Sequence, residues 1–111
     1  YSLDAAWKVQ ALNDADVTKY SATCNIATAS KKANGTSGCN TFGADINLFD
    51  ENQQLLELDA IVQTKIGCQN DLGIFEMNYF NTLDAVTHYT FVNANTLILK
   101  TYNGANITLK K

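Results

Sequence analysis

DLGIFEMNYFNTLDA, residues 71–85, is the one stretch of this chain in which apolar residues recur at steps of three and four. Leu72, Phe75, Tyr79, Phe80, Leu83 and the following Val86 fall on one stripe of a 3.6-residue period. The spacing predicts an amphipathic helix over about Asp71 to Ala85, with Asn70 or Asp71 as its N-cap. Such an aromatic stripe has to cover an apolar surface, and the flanking sequence supplies one, because its period is two. Tyr20, Ala22, Cys24 and Ile26 alternate with Ser21, Thr23, Asn25 and Ala27, as a half-buried strand requires. Phe42, Ala44, Ile46 and Leu48 alternate in the same way, and the polar group Asp50 to Gln53 turns that strand back into Leu56-Glu57-Leu58. Tyr89 with Phe91, Leu97 with Leu99, and Ile107 with Leu109 continue as a meander. Asn103-Gly104 predicts a tight hairpin turn in which both positions take positive φ. The fold class is therefore mainly β with one principal helix (α+β): a curved antiparallel sheet or half-open β-barrel covered by that helix.

The composition narrows the function classes. With 111 residues and 46% hydrophobic content the chain makes one domain spanning residues 1–111. Eleven acids, eight lysines and no arginine give a net charge of -3, which excludes nucleic acid as an expected partner, since phosphate recognition relies on basic patches and the guanidinium fork. No apolar run approaches the roughly 18 residues of a membrane span, so no transmembrane segment is expected in this chain. The sequence opens at Tyr1 rather than Met, with no basic or apolar leader of its own. Export is the expectation, with either a lipid anchor upstream of residue 1 or a cleaved signal peptide.

Candidate chemistry is sparse. Cys24, Cys39, Cys68 and His88 supply the ligand count of a zinc site, but their spacing contains no Cys-x-x-Cys knuckle. A cysteine nucleophile would need His88, the only histidine, as its base. The glycines of Gly35-Thr36-Ser37-Gly38 precede a strand rather than a helix, so they do not form a phosphate cradle and are expected to bend a strand beside Cys39. Asp45, Glu57 and Asp59 alternate with apolar residues, which places them on the solvated face. No catalytic residue, cofactor or metal is expected. Phe75, Tyr79 and Phe80 either pack the core or line an apolar cleft under the helix.

Several elements occur together in a recognisable order. An early Trp7-Lys8-Val9 precedes the run Gly35-Thr36-Ser37-Gly38-Cys39-Asn40-Thr41-Phe42. Thr64-Lys65-Ile66-Gly67-Cys68 follows, then a helix bearing Glu76 and Leu83, a Leu97-Ile98-Leu99 strand and the Asn103-Gly104 turn. In this order the chain resembles the META domain, or HslJ-like heat-shock domain, of small envelope lipoproteins and secreted proteins, with Trp7, Gly35, Gly38, Asn40 and Thr64 among the matching positions. The resemblance implies a β-rich fold, an extracytoplasmic setting in the periplasm or cell envelope, a link to envelope stress, and no established catalytic residues. It also implies a disulfide between Cys39 and Cys68, which sit in the two defining elements, leaving Cys24 as a buried thiol. A Cys24 to Cys39 bridge competes, because a turn near Ser30 to Lys32 sets those strands side by side. The expected function is that of a non-enzymatic envelope protein binding a protein or lipid-like partner. The alternative is a small inhibitor or interaction module acting on another envelope protein by strand addition.

Overall fold

The computed structural model describes every residue, Tyr1–Lys111. In chain order the elements are β1 (Ala5–Leu12), β2 (Ala15–Asp16), a 3-10 turn (Thr18–Tyr20), β3 (Thr23–Ala27), β4 (Lys32–Thr36), β5 (Thr41–Asp50), β6 (Leu55–Gln63), α1 (Asn70–Asp84), β7 (Val86–Asn93), β8 (Thr96–Thr101) and β9 (Asn106–Lys110). Neighbouring strands run antiparallel in the order β1-β3-β4-β5-β6-β7-β8-β9, and β9 returns to pair with β1 through Val9↔Leu109 and Leu12↔Ile107. Eight strands thus close into a barrel, with the two-residue β2 hairpinned onto the end of β1. The half-open barrel expected from the sequence is corrected to a closed one.

The reason lies in β1. Its first half pairs with β3, Trp7 opposite Cys24, and its second half pairs with β9. One strand uses both of its edges, so no long edge remains where the sheet ends meet. The narrowest seam is between β6 and β7, which pair only at Leu55↔His88.

The inward side chains form one cluster of 23 buried residues. Trp7, Leu97, Leu99, Ile107 and Leu109 are wholly buried, which follows from the two-residue alternation on a closed wall. α1 stoppers the mouth at which β1 ends and β3 begins. Phe75, Tyr79, Phe80 and Leu83 are buried there, each large apolar side chain contributing about 2–3 kcal/mol. The Tyr79 hydroxyl donates to the Thr23 carbonyl at 2.8 Å, Phe80 meets Phe42 edge-on at 5.4 Å, and Phe75 stacks on Tyr20 at 4.5 Å. Phe75, Tyr79 and Phe80 are therefore packed into the core at the barrel mouth, one of the two roles the sequence left open. At the other mouth Leu3 is buried, held by the Trp7 indole N–H donating to its carbonyl at 2.8 Å and by Asp4 accepting the Thr28 N–H at 2.7 Å.

Local departures from the sequence reading have local causes. The helix follows the extended Gln69, no side chain caps it, and Asn70 takes a φ of +50°, so neither Asn70 nor Asp71 is the N-cap; Asp71 instead lies in the first turn, where a carboxylate favours the helix dipole. Val86 opens β7 rather than ending the helix, and is still buried. Leu48 is 37% exposed because the β5–β6 register shifts between Ile46 and Leu48. In the Asn103-Gly104 turn only Gly104 has positive φ; Thr101 and Asn106 bracket a wider loop, and the Asn103 side chain accepts from the Thr101 hydroxyl at 2.6 Å.

The two motif glycines do not bend a strand. Gly35 lies in a regular part of β4, between Cys24 and Phe42, and a Cβ there would sit 2.1 Å from the Thr23 carbonyl oxygen. Gly38 lies in the β4–β5 turn at φ +97°, where a Cβ would meet the Tyr20 carbonyl oxygen at 2.1 Å. Both clashes are with backbone that cannot rotate away. Gly43, in the adjacent strand, has open space. Gly35→Ala should therefore lower stability by about 3 kcal/mol or more and Gly43→Ala by less than about 1 kcal/mol, as read from urea denaturation midpoints.

Candidate functional site

Two of the matching positions, Asn40 and Thr64, meet in one buried polar cluster between the β4–β5 turn, the segment after β6, and α1. Asn40 is its centre and is 2% exposed. Its carboxamide N–H groups donate to the Ile66 carbonyl at 2.9 Å and to Glu76 Oε1 at 2.9 Å. Its Oδ1 accepts from the Thr64 hydroxyl at 2.8 Å and from the Ile66 N–H at 2.7 Å. Its backbone N–H reaches the Ser37 hydroxyl and Glu76 Oε2, both at 3.1 Å. Ser37, wholly buried, donates its own hydroxyl to Glu76 Oε2 at 2.5 Å.

A buried amide and carboxylate are costly unless their hydrogen-bonding capacity is met, and here no buried side-chain polar atom lacks a partner. Glu76 accepts three donors from the turn and none from a cation. The cluster therefore works as a clamp that seats α1 on the barrel mouth. Sequence reading placed Asn40 and Thr64 in the motif but did not anticipate Ser37 as their partner. The available signal was Glu76 itself, an acid among the inward Leu72, Phe75, Tyr79 and Phe80.

Beside the clamp, Cys39 and Cys68 are bonded, with Cα atoms 6.1 Å apart and a sequence separation of 29. Closing a loop of that size stabilises the fold by about 3–4 kcal/mol in the chain-entropy description. The disulfide and Asn40 tie the same two segments together, one covalently and one by hydrogen bonds. Donor atoms of Cys39, Cys68 and Glu76 lie within 4.8 Å of one another, but bonded sulfurs offer no thiolate to a metal. The other members of the zinc quartet considered from the sequence lie elsewhere. Cys24 is wholly buried on β3, and His88 is exposed on β7 with its Nδ1 against the Thr87 hydroxyl at 2.9 Å. The Cys24 to Cys39 bridge is not formed.

Asp45 and Asp59 face one another across β5 and β6 on the outer wall, where Asp45 also pairs with Lys32. No cleft encloses these carboxylates with Glu57. The widest concavity is a groove of about 480 Å³ between α1 and the β1–β2 turn, with Leu12, Val17, Tyr20 and Phe75 as its floor and Ile74 and Asn78 on its helical wall.

Two measurements test this account. Asn40→Ala should cost about 3 kcal/mol or more in denaturant stability, because it removes together the partners of the Thr64 hydroxyl proton, the Ile66 N–H and Glu76 Oε1. Burial pushes the Cys24 thiol up from 9.0 to about 12, and pushes the adjacent Tyr79 phenol well above its ordinary 10.0. The unfolded chain therefore loses these protons first. The stability that both groups contribute is complete below about pH 9 and falls as the pH rises towards 12. Ellman's reagent at pH 8 should find no reactive thiol in the folded, unreduced protein and one per chain in denaturant.

The family model of the META domain matches residues 2–111. No curated protein matches the chain. An NMR structure of a protein from Burkholderia xenovorans superposes with a TM-score of 0.74, covering 96% of this chain and 81% of that one at 22% identity, a likeness of fold alone. With the family model spanning nearly the full length, the chain belongs to the META domain family.

Proposed function

We propose that this domain is a non-enzymatic binding module of the periplasm or cell envelope, lipid-anchored or secreted, that engages a protein or lipid-like partner as part of the envelope's response to stress. The groove between α1 and the β1–β2 turn carries this reading. Its volume of about 480 Å³ is in the range of ligand sites, its floor is apolar, and Ile74 on its wall is 59% exposed. The barrel interior offers no rival site, because its space is filled by side chains such as Trp7, Leu97 and Tyr79. The Cys39–Cys68 bond supports an oxidising compartment. The titratable groups that line the groove reduce to Asp71 and Tyr20, a poor supply for acid–base or nucleophilic catalysis.

A second reading, strand addition to another envelope protein, is favoured by one observation. Beyond Leu55 no strand pairs with the outer edge of β6, and Val62 near its end is 70% exposed. Titration with lauric acid, followed by backbone amide resonances, tests the first reading. Saturable shifts at Val17, Ile74 and Asn78, weakened about tenfold in Ile74→Lys, are the expected result. Absence of saturation, or an unchanged response in Ile74→Lys, would remove the groove as an acyl site. Shifts confined to Asp59 through Gln63 on adding an extended partner peptide would transfer the function to the β6 edge.

A further inference from the structure

At the mouth opposite α1, four aromatic rings run in contact around a cleft. Phe49 lies 6.3 Å from Tyr89, Tyr89 lies 5.9 Å from Phe91 at an interplanar angle of 85°, and Phe91 lies 5.4 Å from Tyr1. With Asp4 and Glu51 these rings line a cleft of about 190 Å³, and Tyr1, Glu51, Tyr89 and Phe91 continue into a neighbouring depression of about 310 Å³.

The two carboxylates differ in what they have left to offer. Asp4 uses both oxygens on Thr28, accepting its N–H at 2.7 Å and its hydroxyl at 3.1 Å. Glu51 accepts from no protein donor and forms no ion pair; the ion pair of this chain is Lys32 with Asp45. The negative potential reaches the rings: burial first, then Glu51 and Asp50, raise the Tyr89 phenol above its ordinary 10.0. The cleft thus combines π surface, which attracts cations electrostatically, with one carboxylate that has no counter-cation.

This pairing discriminates among cations. A divalent metal takes six or so oxygen ligands, and one free carboxylate does not supply them. A bare ammonium group is strongly hydrated and gives up that water against apolar rings. A cation whose charge is wrapped in methyl groups loses little hydration and matches both the rings and the carboxylate. We propose that the Phe49–Tyr89–Phe91–Tyr1 cleft binds an alkylated ammonium group of the choline type, with Glu51 as its counter-charge. The site lies at the far end of the barrel from the α1 groove and does not depend on the function proposed for that groove. Its volume suits a headgroup rather than a larger molecule.

The test uses the full chain, with tetramethylammonium chloride and choline chloride titrated against sodium chloride at matched ionic strength. Backbone amides and the emission of Trp7, whose ring lies 6.4 Å from Phe91, supply the readouts. Saturable shifts centred on Glu51, Tyr89 and Phe91 are expected. Glu51→Gln and Phe49→Leu, both at solvent-accessible positions, should each weaken binding by about tenfold while leaving the melting temperature close to that of the parent. The neutral isostere 3,3-dimethylbutan-1-ol should not bind. Equal binding of that isostere, equal shifts with sodium, or undiminished binding in both variants would overturn the proposal, as would the absence of saturation with either ammonium salt. Given choline binding, retention on phosphatidylcholine but not phosphatidylglycerol vesicles, lost in Glu51→Gln, identifies a lipid headgroup as the source; no retention identifies the free small molecule.

Discussion

The side chain of Asn40 joins three pieces of chain at the point where the β5–β6 pairing ends and the helix approaches the barrel. It holds the β4–β5 turn, the segment from Thr64 to Ile66 and the helix residue Glu76 through hydrogen bonds of 2.7–2.9 Å. A carboxamide is suited to this place because it presents two donors and two acceptor sites in one plane, and all are used. The adjacent Cys39–Cys68 bond repeats the tie covalently. Between them they fix where α1 begins its approach to the barrel, and with it the positions of Tyr79 and Phe80 over the mouth.

Closure of the wall and filling of its interior decide where function can reside. Eight strands enclose a space that side chains occupy completely, so a ligand cannot enter as it does in wider barrels. Recognition is displaced to the rim. At one end the helix creates a groove with the β1–β2 turn, apolar on its floor and uncharged but for Asp71. At the other end the N-terminal segment and the β5–β6 turn assemble aromatic rings around a free carboxylate. The two rims differ in chemistry because one is built from the back of an amphipathic helix and the other from strand ends, where the alternation of inward and outward residues breaks down.

The strands with strict alternation were legible because burial on one face leaves no other arrangement. Leu97, Leu99, Ile107 and Leu109 are all wholly buried, as their spacing requires. The helix was legible for the same reason, in the other period. β1 was not, since Trp7 and Val9 alone make a short signal, and its pairing with both β3 and β9 is a contact between distant parts of the chain. The exposure of Leu48 depended on a register shift that the two-residue pattern does not encode. At the clamp, Asn40 and Thr64 stood out as motif positions, whereas Ser37 gained its role only through Glu76, 39 residues away.

By itself the sequence determined the periodicities: one helical stripe, a set of alternating strands, and the order of elements that marks the family. These are local properties, set by how each residue's side chain is aimed relative to its neighbours. The tertiary structure alone decided that the sheet closes, that Tyr79 and Phe80 pack into the mouth while Phe75 also floors the groove beside α1, and that Phe49, Glu51 and Phe91 share a cleft. Those outcomes depend on which distant edges meet, and edge pairing is governed by the shape of the whole wall rather than by any window of residues along it.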